Sequence, residues 1–332
     1  MEATNLAVFW ASVIAASILI YVILDGFDLG VGILFGFARD ETNRLQILNT
    51  IAPFWDGNET WLVIVGASLF AAFPVVYTVF LGAFYIPVLL MLFGLIFRGI
   101  AFEFRQRTEH MRWLWNWGFF IGSTVAAFVQ GAAIGAMMRG IPVTNGHFAG
   151  HTFDWVRPFP ILTGVGLVLG YALLGAGWIV YKSEGALRDW AYARIPWLVA
   201  GVFVVVGLAF TAAVTLDAGA VAQSNLQARG WGLAFPTMGV VALIGVIVGT
   251  RARRDAVPFY LTTVFFVASY LTLGVMFWPY IVPYSVTVAN AASPDASLGF
   301  FFVGGIIVLP MILIYTMGVY RVFRGKRHRG YS

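Results

Sequence analysis

Asp25-Gly26-Phe27-Asp28-Leu29-Gly30 places two carboxylates three residues apart inside an apolar stretch that extends from about Leu6 to Phe37. A stretch this long predicts a membrane-spanning helix, because about 20 apolar residues are enough to cross a hydrocarbon core. An ionisable side chain at bilayer depth is costly unless it is paired, neutral or hydrated. The two acids therefore mark a candidate functional site within the first helix.

The composition predicts an all-α polytopic membrane protein. Hydrophobic residues make up 60% of the 332 residues and charged residues 11%, with a mean hydropathy of +0.86. That leaves too little polar surface to cover a soluble domain. Cysteine is absent, which excludes disulfides and thiolate metal sites. The first apolar run is too long for a signal peptide, so we expect the first helix to remain in the mature protein.

Hydropathy predicts about nine transmembrane helices. Their approximate limits are 7–36, 58–73, 77–103, 114–138, 159–181, 196–217, 231–250, 257–278 and 299–322. The second is short and ends at Phe73-Pro74, so eight spans with a re-entrant second segment is an alternative. The outside loops are too short to fold alone, and residues 1–332 are expected to form one membrane domain. Nine spans suit a peripheral helix 1 plus two four-helix groups.

The positions of Lys and Arg predict an outside N-terminus and an inside C-terminus. In that orientation Arg139, Arg157 and Arg229 lie outside, and Arg98 lies within a span. The inside connections and the tail hold Arg39, Arg44, Arg105, Arg107, Arg112, Lys182, Arg188, Arg194, Arg251, Arg253, Arg254, Arg321, Arg324, Lys326, Arg327 and Arg329. Topology and anionic lipid thus explain the net charge of +5 without a nucleic-acid partner. The basic tail is interpreted as a membrane-surface anchor.

This topology brings five acids and one arginine to the same depth near the inner surface. Helix 1 runs inward, so Asp25 and Asp28 lie in the inner leaflet. The second span begins with Trp55-Asp56-Gly57-Asn58-Glu59, and the third ends with Arg98 and Glu103. We expect these side chains to form one cluster.

Three interpretations of the cluster compete. Arg98 can form a structural ion pair with Asp25, Asp28 or Asp56. The acids can instead carry protons from the cytoplasm, since they outnumber the single base. A transporter site would favour broken helices in two matching halves, and no second half is visible. Asp56 and Glu59 can also serve simply to stabilise a helix N-terminus.

Histidine is absent from the expected spans. His110, His147, His151 and His328 lie in loops or the tail. A membrane-embedded haem normally takes histidine, or histidine and methionine, at membrane depth, so we expect this chain to ligate no haem. His147 and His151 are four residues apart, but a surface-loop role is favoured over a metal site. Gln130 is expected to form a hydrogen bond between helices.

Several motifs follow one another along the chain. They are Asp25 to Gly32, Ala52 to Leu62, Phe70 to Pro74, Phe97 to Gly99, Trp117 to Ser123, Pro279 to Pro283 and Pro310 to Tyr320. In this order, and with about nine spans, they resemble subunit II of cytochrome bd-type quinol oxidases over nearly the whole chain. The short outside loops are similar to those of compact or cyanide-insensitive members.

The resemblance implies a respiratory terminal oxidase in a bacterial or archaeal cytoplasmic membrane that oxidises quinol and reduces dioxygen to water. Hemes b and d and the quinol-oxidation loop would belong to subunit I, a partner of similar fold, which a small accessory subunit can join. Subunit II would be needed for assembly and haem retention, and its acids would deliver protons. A proton-coupled secondary transporter is the alternative.

The resemblance also implies roles for individual residues. Asp56, in Trp55-Asp56-Gly57-Asn58, is the leading proton-pathway residue, followed by Asp25, Asp28 and Glu59. Arg98 and Glu103 are expected to be charge partners or structural residues. A bound structural quinone would contact Trp55 and Arg98. No residue of this chain is expected to be catalytic.

Overall fold

A computed structural model of the chain describes residues 3–105, 107–108, 110–214, 231–323 and 325–326. The helices in these ranges are α1 (Asn5–Phe35), α2 (Glu41–Ile51), α3 (Trp55–Ala72), α4 (Pro74–Phe104), α5 (Arg112–Met138), α6 (Pro158–Lys182), α7 (Gly185–Tyr192), α8 (Ile195–Val214), α9 (Ala234–Arg251), α10 (Val257–Phe277), α11 (Val288–Ala291) and α12 (Asp295–Val322). Two small antiparallel hairpins pair β1 (Val143–Thr144) with β2 (His147–Phe148) and β3 (Tyr280–Val282) with β4 (Val286–Thr287).

The expected all-α polytopic architecture is confirmed. Within the described ranges, eight helices are long and apolar enough to cross a membrane. They are α1, α4, α5, α6, α8 (continuous with α7), α9, α10 and α12. The direction in which the chain crosses the membrane, and its organisation as one domain, stay predictions.

The uncertain second span corresponds to α3, an unbroken helix of 18 residues. Near its start, Asn58 accepts a hydrogen bond from Tyr320, close to the end of α12. At its other end, the carbonyls of Ala71 and Ala72 accept hydrogen bonds from Ser293, just before α12 begins. Helix α3 therefore runs antiparallel to α12, but it is not among the eight helices named above, so the count of nine spans and the re-entrant alternative stay predictions.

The first helix lies in the middle of the structure, so its expected peripheral position is wrong. Every residue of α1 from Asp25 to Phe35 is buried. The helix packs against α3, α5, α6, α10 and α12. The last helix, α12, packs mainly against α1 and α3, although the expected grouping assigns it to the second set of four. The reason is that the polar residues of α1 must be enclosed by neighbours on several sides.

Glycines let α1 and α6 approach each other closely. A Cβ atom on Gly30 would overlap the backbone carbonyl of Tyr171, and one on Gly175 would overlap the backbone of Gly30. Small residues at membrane helix interfaces allow this backbone contact. The glycines of the opening hexapeptide therefore set the position of its two acids against α6.

Two short helices lie in connections that we predicted to be inside loops. Asp40 accepts a hydrogen bond from the backbone N–H of Asn43 and so caps the start of α2. The second short helix, α7, follows Glu184, which provides no such cap. Neither helix is long enough to give a hydropathy signal, so the span pattern missed both.

The described part of the tail is bound to the protein. Lys326 forms an ion pair with Asp255, and the ammonium of Lys182 donates to the carbonyls of Phe323 and Gly325. Burial alone would raise the pKa of Asp255, but hydrogen bonds from Lys326 and Tyr192 hold that pKa below its usual value. Lys326 is thus paired within the protein, and the membrane-anchor interpretation of the tail stays a prediction. The other basic tail residues, Arg324, Arg327 and Arg329, lie outside the described residues, as do His328 and Arg229.

We expect Gly30→Ala to destabilise the protein by about 1 to 3 kcal/mol, because the new methyl group forces α1 away from α6. Thermal unfolding of the purified protein in detergent would measure the effect. Gly207→Ala in α8 is the matched control, since nothing lies within 4 Å of its Cβ position. The control should be neutral or up to about 1 kcal/mol more stable. Equal unfolding temperatures for the two variants would contradict the close approach.

Candidate functional site

Arg98 lies at the centre of a buried polar cluster formed by α1, α3 and α4. Its side chain is 2% exposed. One terminal nitrogen lies 2.7 Å from Oδ1 of Asp25, and the other lies 3.0 Å from Oε2 of Glu59. The guanidinium thus joins three helices through two carboxylates.

Asp28 lies one turn further along α1 and has a different environment. It is fully buried, and its Oδ2 accepts a hydrogen bond of 2.7 Å from the amide of Asn58. The same amide donates to the carbonyl of Leu24, while its oxygen accepts from the hydroxyl of Tyr320. Oδ1 of Asp28 and Oδ2 of Asp25 have no hydrogen-bond partner among the described residues. The cluster therefore holds more acceptor capacity than its neighbours satisfy.

A second set of polar side chains lies beside the cluster. Gln130 donates to the hydroxyl of Tyr21 at 2.9 Å and accepts from the hydroxyl of Tyr171 at 3.0 Å. The expected interhelical hydrogen bond of Gln130 is thus confirmed, and it joins α5 to both α1 and α6. Tyr21 precedes Asp25 by one helical turn, so the two side chains share a face of α1.

The acids at the start of α3 connect the buried cluster to the surface. Asp56 is exposed in the first turn of α3. Glu59, one turn later, keeps 30% of its side chain exposed while it contacts Arg98. Residues three apart on a helix share one face, so Asp56 and Glu59 form a graded series from solvent to the buried pair.

Trp55, which we expected at an interface or a quinone, packs within the protein. Its ring lies 5.3 Å from that of Phe102, and it sits beside the Cα of Gly99. Its side chain remains partly exposed. Because Gly99 has no side chain, the indole ring of Trp55 packs directly against the backbone of α4.

The structure excludes Glu103 from the cluster, so that expectation was wrong. Its side chain is 56% exposed and lies 3.9 Å from Arg107, one turn later. Glu103 occupies the last turn of α4 and points away from α1. Glu103 lies five residues after Arg98, which places it about 140° around α4 from that residue.

Arg105 forms a buried polar site that sequence reasoning missed. It is 1% exposed and donates to Glu41 and Asn116, each at 2.6 Å. These contacts tie α2 and α5 to the end of α4. The sequence places Arg105 among the inside-loop cations, and no signal in it pairs Arg105 with Glu41, because α2 is too short to give a hydropathy signal.

The buried cluster offers carboxylates and one guanidinium. Haem iron in membranes usually takes imidazole or thioether ligands, so this set of donors does not fit a haem. Within the described residues there is no group of three or more His, Asp or Glu side chains that could hold a metal ion. His147 and His151 are both exposed. The arrangement suits proton binding and charge compensation.

Comparison with known proteins identifies the family. The family model described as cytochrome bd terminal oxidase subunit II matches residues 6–323. Subunit 2 of the cytochrome bd-I ubiquinol oxidase of Escherichia coli K12 is 31% identical, over 96% of this chain and 94% of that protein. Subunit 2 of the Bacillus subtilis cytochrome bd ubiquinol oxidase is 32% identical, over 96% of this chain and 95% of that protein.

Structural comparison agrees on the fold. A chain of the bd oxidase from Geobacillus thermodenitrificans superposes with a TM-score of 0.78, over 96% of this chain and 99% of that chain, at 16% sequence identity. At that identity the likeness establishes the fold alone. With the match across residues 6–323, the chain belongs to the cytochrome bd terminal oxidase subunit II family.

Proposed function

We propose that this chain is the subunit of a quinol-oxidising, dioxygen-reducing complex that stabilises a haem-bearing partner and delivers protons to it. Family membership makes it part of an oxidoreductase complex in a bacterial membrane. The E. coli and B. subtilis relatives are named as subunits of ubiquinol oxidases, which supports quinol as the reductant. The inner, cytoplasmic membrane is the proposed location, and a small accessory subunit stays a prediction.

The proton role rests on one observation, the surplus of acid in the buried cluster. Arg98 contacts Asp25 and Glu59, whereas Asp28 is fully buried and, among the described residues, has the neutral Asn58 as its hydrogen-bond partner and no ion pair. Burial of a carboxylate without a cation is so unfavourable that the group takes up a proton instead. Asp28 is therefore a site that can hold a proton inside the helix bundle.

We propose a proton route from the order of these acids between the surface and the buried cluster. Asp56 would take a proton from the cytoplasm, and Glu59 would pass it inward from the next turn of α3. Arg98 would hold Asp25 in place and limit how many negative charges accumulate. Asp28 would store the proton at the inner end, beside Asn58 and Tyr320. Oδ1 of Asp28 is unpartnered within the described chain, which is consistent with exchange through water.

Hemes b and d are proposed to lie in the partner subunit. The groups that enclose this chain's cluster are carboxylates, amides and phenols, and none of its described histidines is in a membrane-spanning helix. A haem supplies electron transfer and oxygen chemistry when it is bound, whereas the side chains here bind and move protons. A structural quinone beside Trp55 would find Arg98 already engaged, because both its terminal nitrogens contact carboxylates.

The transporter alternative has no support from the comparisons. Its expected feature is a second, matching polar break in the other half of the chain. The described part of the chain has its buried acids on α1 and their partners on α3 and α4. That arrangement favours a single proton branch over a paired substrate site.

Visible absorption spectra would test the functional assignment. We expect haem absorption only when this chain is purified together with its partner, and none when it is purified alone. Quinol-dependent oxygen consumption should follow the same pattern. Haem bound by the isolated chain, or transport of a solute by it, would overturn the assignment.

We expect Asp28→Asn to slow oxygen consumption at saturating quinol by roughly tenfold or more, since positioned proton transfer contributes at least that much. The amide still accepts from Asn58 but cannot hold an exchangeable acidic proton, so haem content should stay near normal. Asp56→Asn should act in the same direction. Glu103→Gln, which changes an exposed acid outside the cluster, is the control and should have no effect. Haem loss in Asp28→Asn would instead assign the residue a structural role.

Asp25→Asn should destabilise the protein by about 3 to 5 kcal/mol, because it leaves Arg98 buried without its closest partner. Arg98→Gln should have a similar effect. The double variant should be less destabilised than the sum of the two, by roughly 0.5 to 3 kcal/mol. Thermal unfolding would measure all three.

Arg253→Gln, which breaks an exposed ion pair with Asp189, is the control and should destabilise the protein by at most about 1 kcal/mol. Additive effects at Asp25 and Arg98 would contradict their coupling.

A further inference from the structure

We infer that Lys182 is a positioning residue for the acid cluster, which it supports by holding the end of α12 in place. The inference rests on the proposed proton role of Asp28. Lys182 is the last residue of α6 and is 2% exposed. Tyr320, near the end of α12, and Asn58, near the start of α3, connect it to Asp28.

Three aromatic rings surround the ammonium group of Lys182. Its nitrogen lies 5.0 Å from the ring centre of Trp178 and 5.4 Å from those of Phe54 and Tyr181. A cation over an aromatic ring is attracted by the negative charge of the ring face. The indole N–H of Trp178 donates to the carbonyl of Thr50 at 3.2 Å, which fixes that ring. The rings therefore hold the ammonium group in one position.

From this position the ammonium group donates to the end of α12. Its nitrogen lies 2.7 Å from the carbonyl oxygen of Phe323 and 3.4 Å from that of Gly325. The carbonyls at the end of a helix lack N–H partners within the helix and form the negative end of its dipole. Because Lys182 also occupies the last turn of α6, one cation stabilises the C-terminal ends of two helices.

Helix α12 depends on this anchor because little of its surface is buried in the chain. Its buried residues are Leu298 and Gly305, and both lie in the half that is remote from Tyr320. The ring of Tyr320 itself packs 4.7 Å from that of Phe54, which is one of the rings around Lys182. Lys182 thus contacts both the ring beneath Tyr320 and the backbone that follows it.

Tyr320 holds the amide of Asn58 in the orientation in which it donates to Asp28. The amide oxygen accepts from the hydroxyl of Tyr320 at 3.0 Å, and the nitrogen donates to Asp28 at 2.7 Å and to the carbonyl of Leu24 at 3.2 Å. A carbonyl can only accept, so the nitrogen must face α1. An N–H that donates to a carboxylate stabilises its ionised form and so favours release of the proton. Burial makes Asp28 bind a proton, and the fixed amide allows it to let that proton go.

Turnover of the intact complex would test the positioning role. Lys182→Met should lower the kcat of quinol-dependent oxygen consumption by roughly three- to tenfold, the factor that one hydrogen bond contributes. The kcat/KM for quinol and the haem content should stay unchanged, because quinol binding does not involve this site. The ratio of the rates in H2O and D2O should increase, since proton release then limits turnover.

Two further variants define the effect. Tyr320→Phe should act in the same way as Lys182→Met, because it removes the hydroxyl that holds Asn58. Arg251→Met removes an exposed cation from the last turn of α9. It is the control and should change none of these quantities.

Asp28→Asn separates this inference from the proposed function. In the Asp28→Asn background, Lys182→Met should not slow turnover further, because its effect acts through Asp28. A further loss of rate in that background would overturn the positioning role. If Asp28→Asn slows turnover but Lys182→Met and Tyr320→Phe do not, the positioning role is overturned and the proton role stands. If Asp28→Asn has no effect, both are overturned.

Tyr320→Phe keeps the inference testable if Lys182→Met fails to assemble with its haem. It removes a single hydroxyl group and leaves the contacts of Lys182 in place. A normal kcat and an unchanged ratio of the rates in H2O and D2O for Tyr320→Phe would then overturn the inference.

Discussion

The ion pair between Arg98 and Asp25 is the interaction on which the rest of the structure depends. Both groups are buried from solvent, and the charge of each offsets the cost of desolvating the other inside the helix bundle. The pair requires α1 and α4 to stay in register, and Glu59 brings α3 to the same point. Close backbone contact between α1 and α6 at Gly30 then encloses the pair from the other side.

The two ends of the bundle have opposite electrostatic character. The cluster of Asp25, Asp28 and Glu59 places three carboxyl groups around one guanidinium group, that of Arg98, although the surrounding connections are rich in arginine. The other end has few cations, yet Arg139 and Arg157 line the same cavity. The number of charges in the connections therefore does not describe their roles, because Arg105 and Lys326 form ion pairs within the protein.

The hydropathy pattern of this chain determines where its apolar helices lie but not which faces they turn toward one another. The spans were predicted because crossing a membrane requires a long apolar run, which is a local property. Depth along a helix follows from a constant rise per residue, so Asp25, Glu59 and Arg98 were correctly brought together. Glu103 was misassigned because only its level along α4 was considered; five residues after Arg98, it lies about 140° around the helix from that residue. Arg105 was missed because its partner Glu41 lies on a short, unpredicted helix.

The sequence by itself determined the all-α membrane architecture, the concentration of acids near Arg98, and membership of the subunit II family through motifs that follow in order. Only the tertiary structure decided that α1 is central, that Asp25 and not Asp28 pairs with Arg98, and that Asn58 and Tyr320 complete the site. The physical reason is that composition and spacing act along one helix. The partner of a buried charge is selected by the faces that neighbouring helices present, and packing sets those faces.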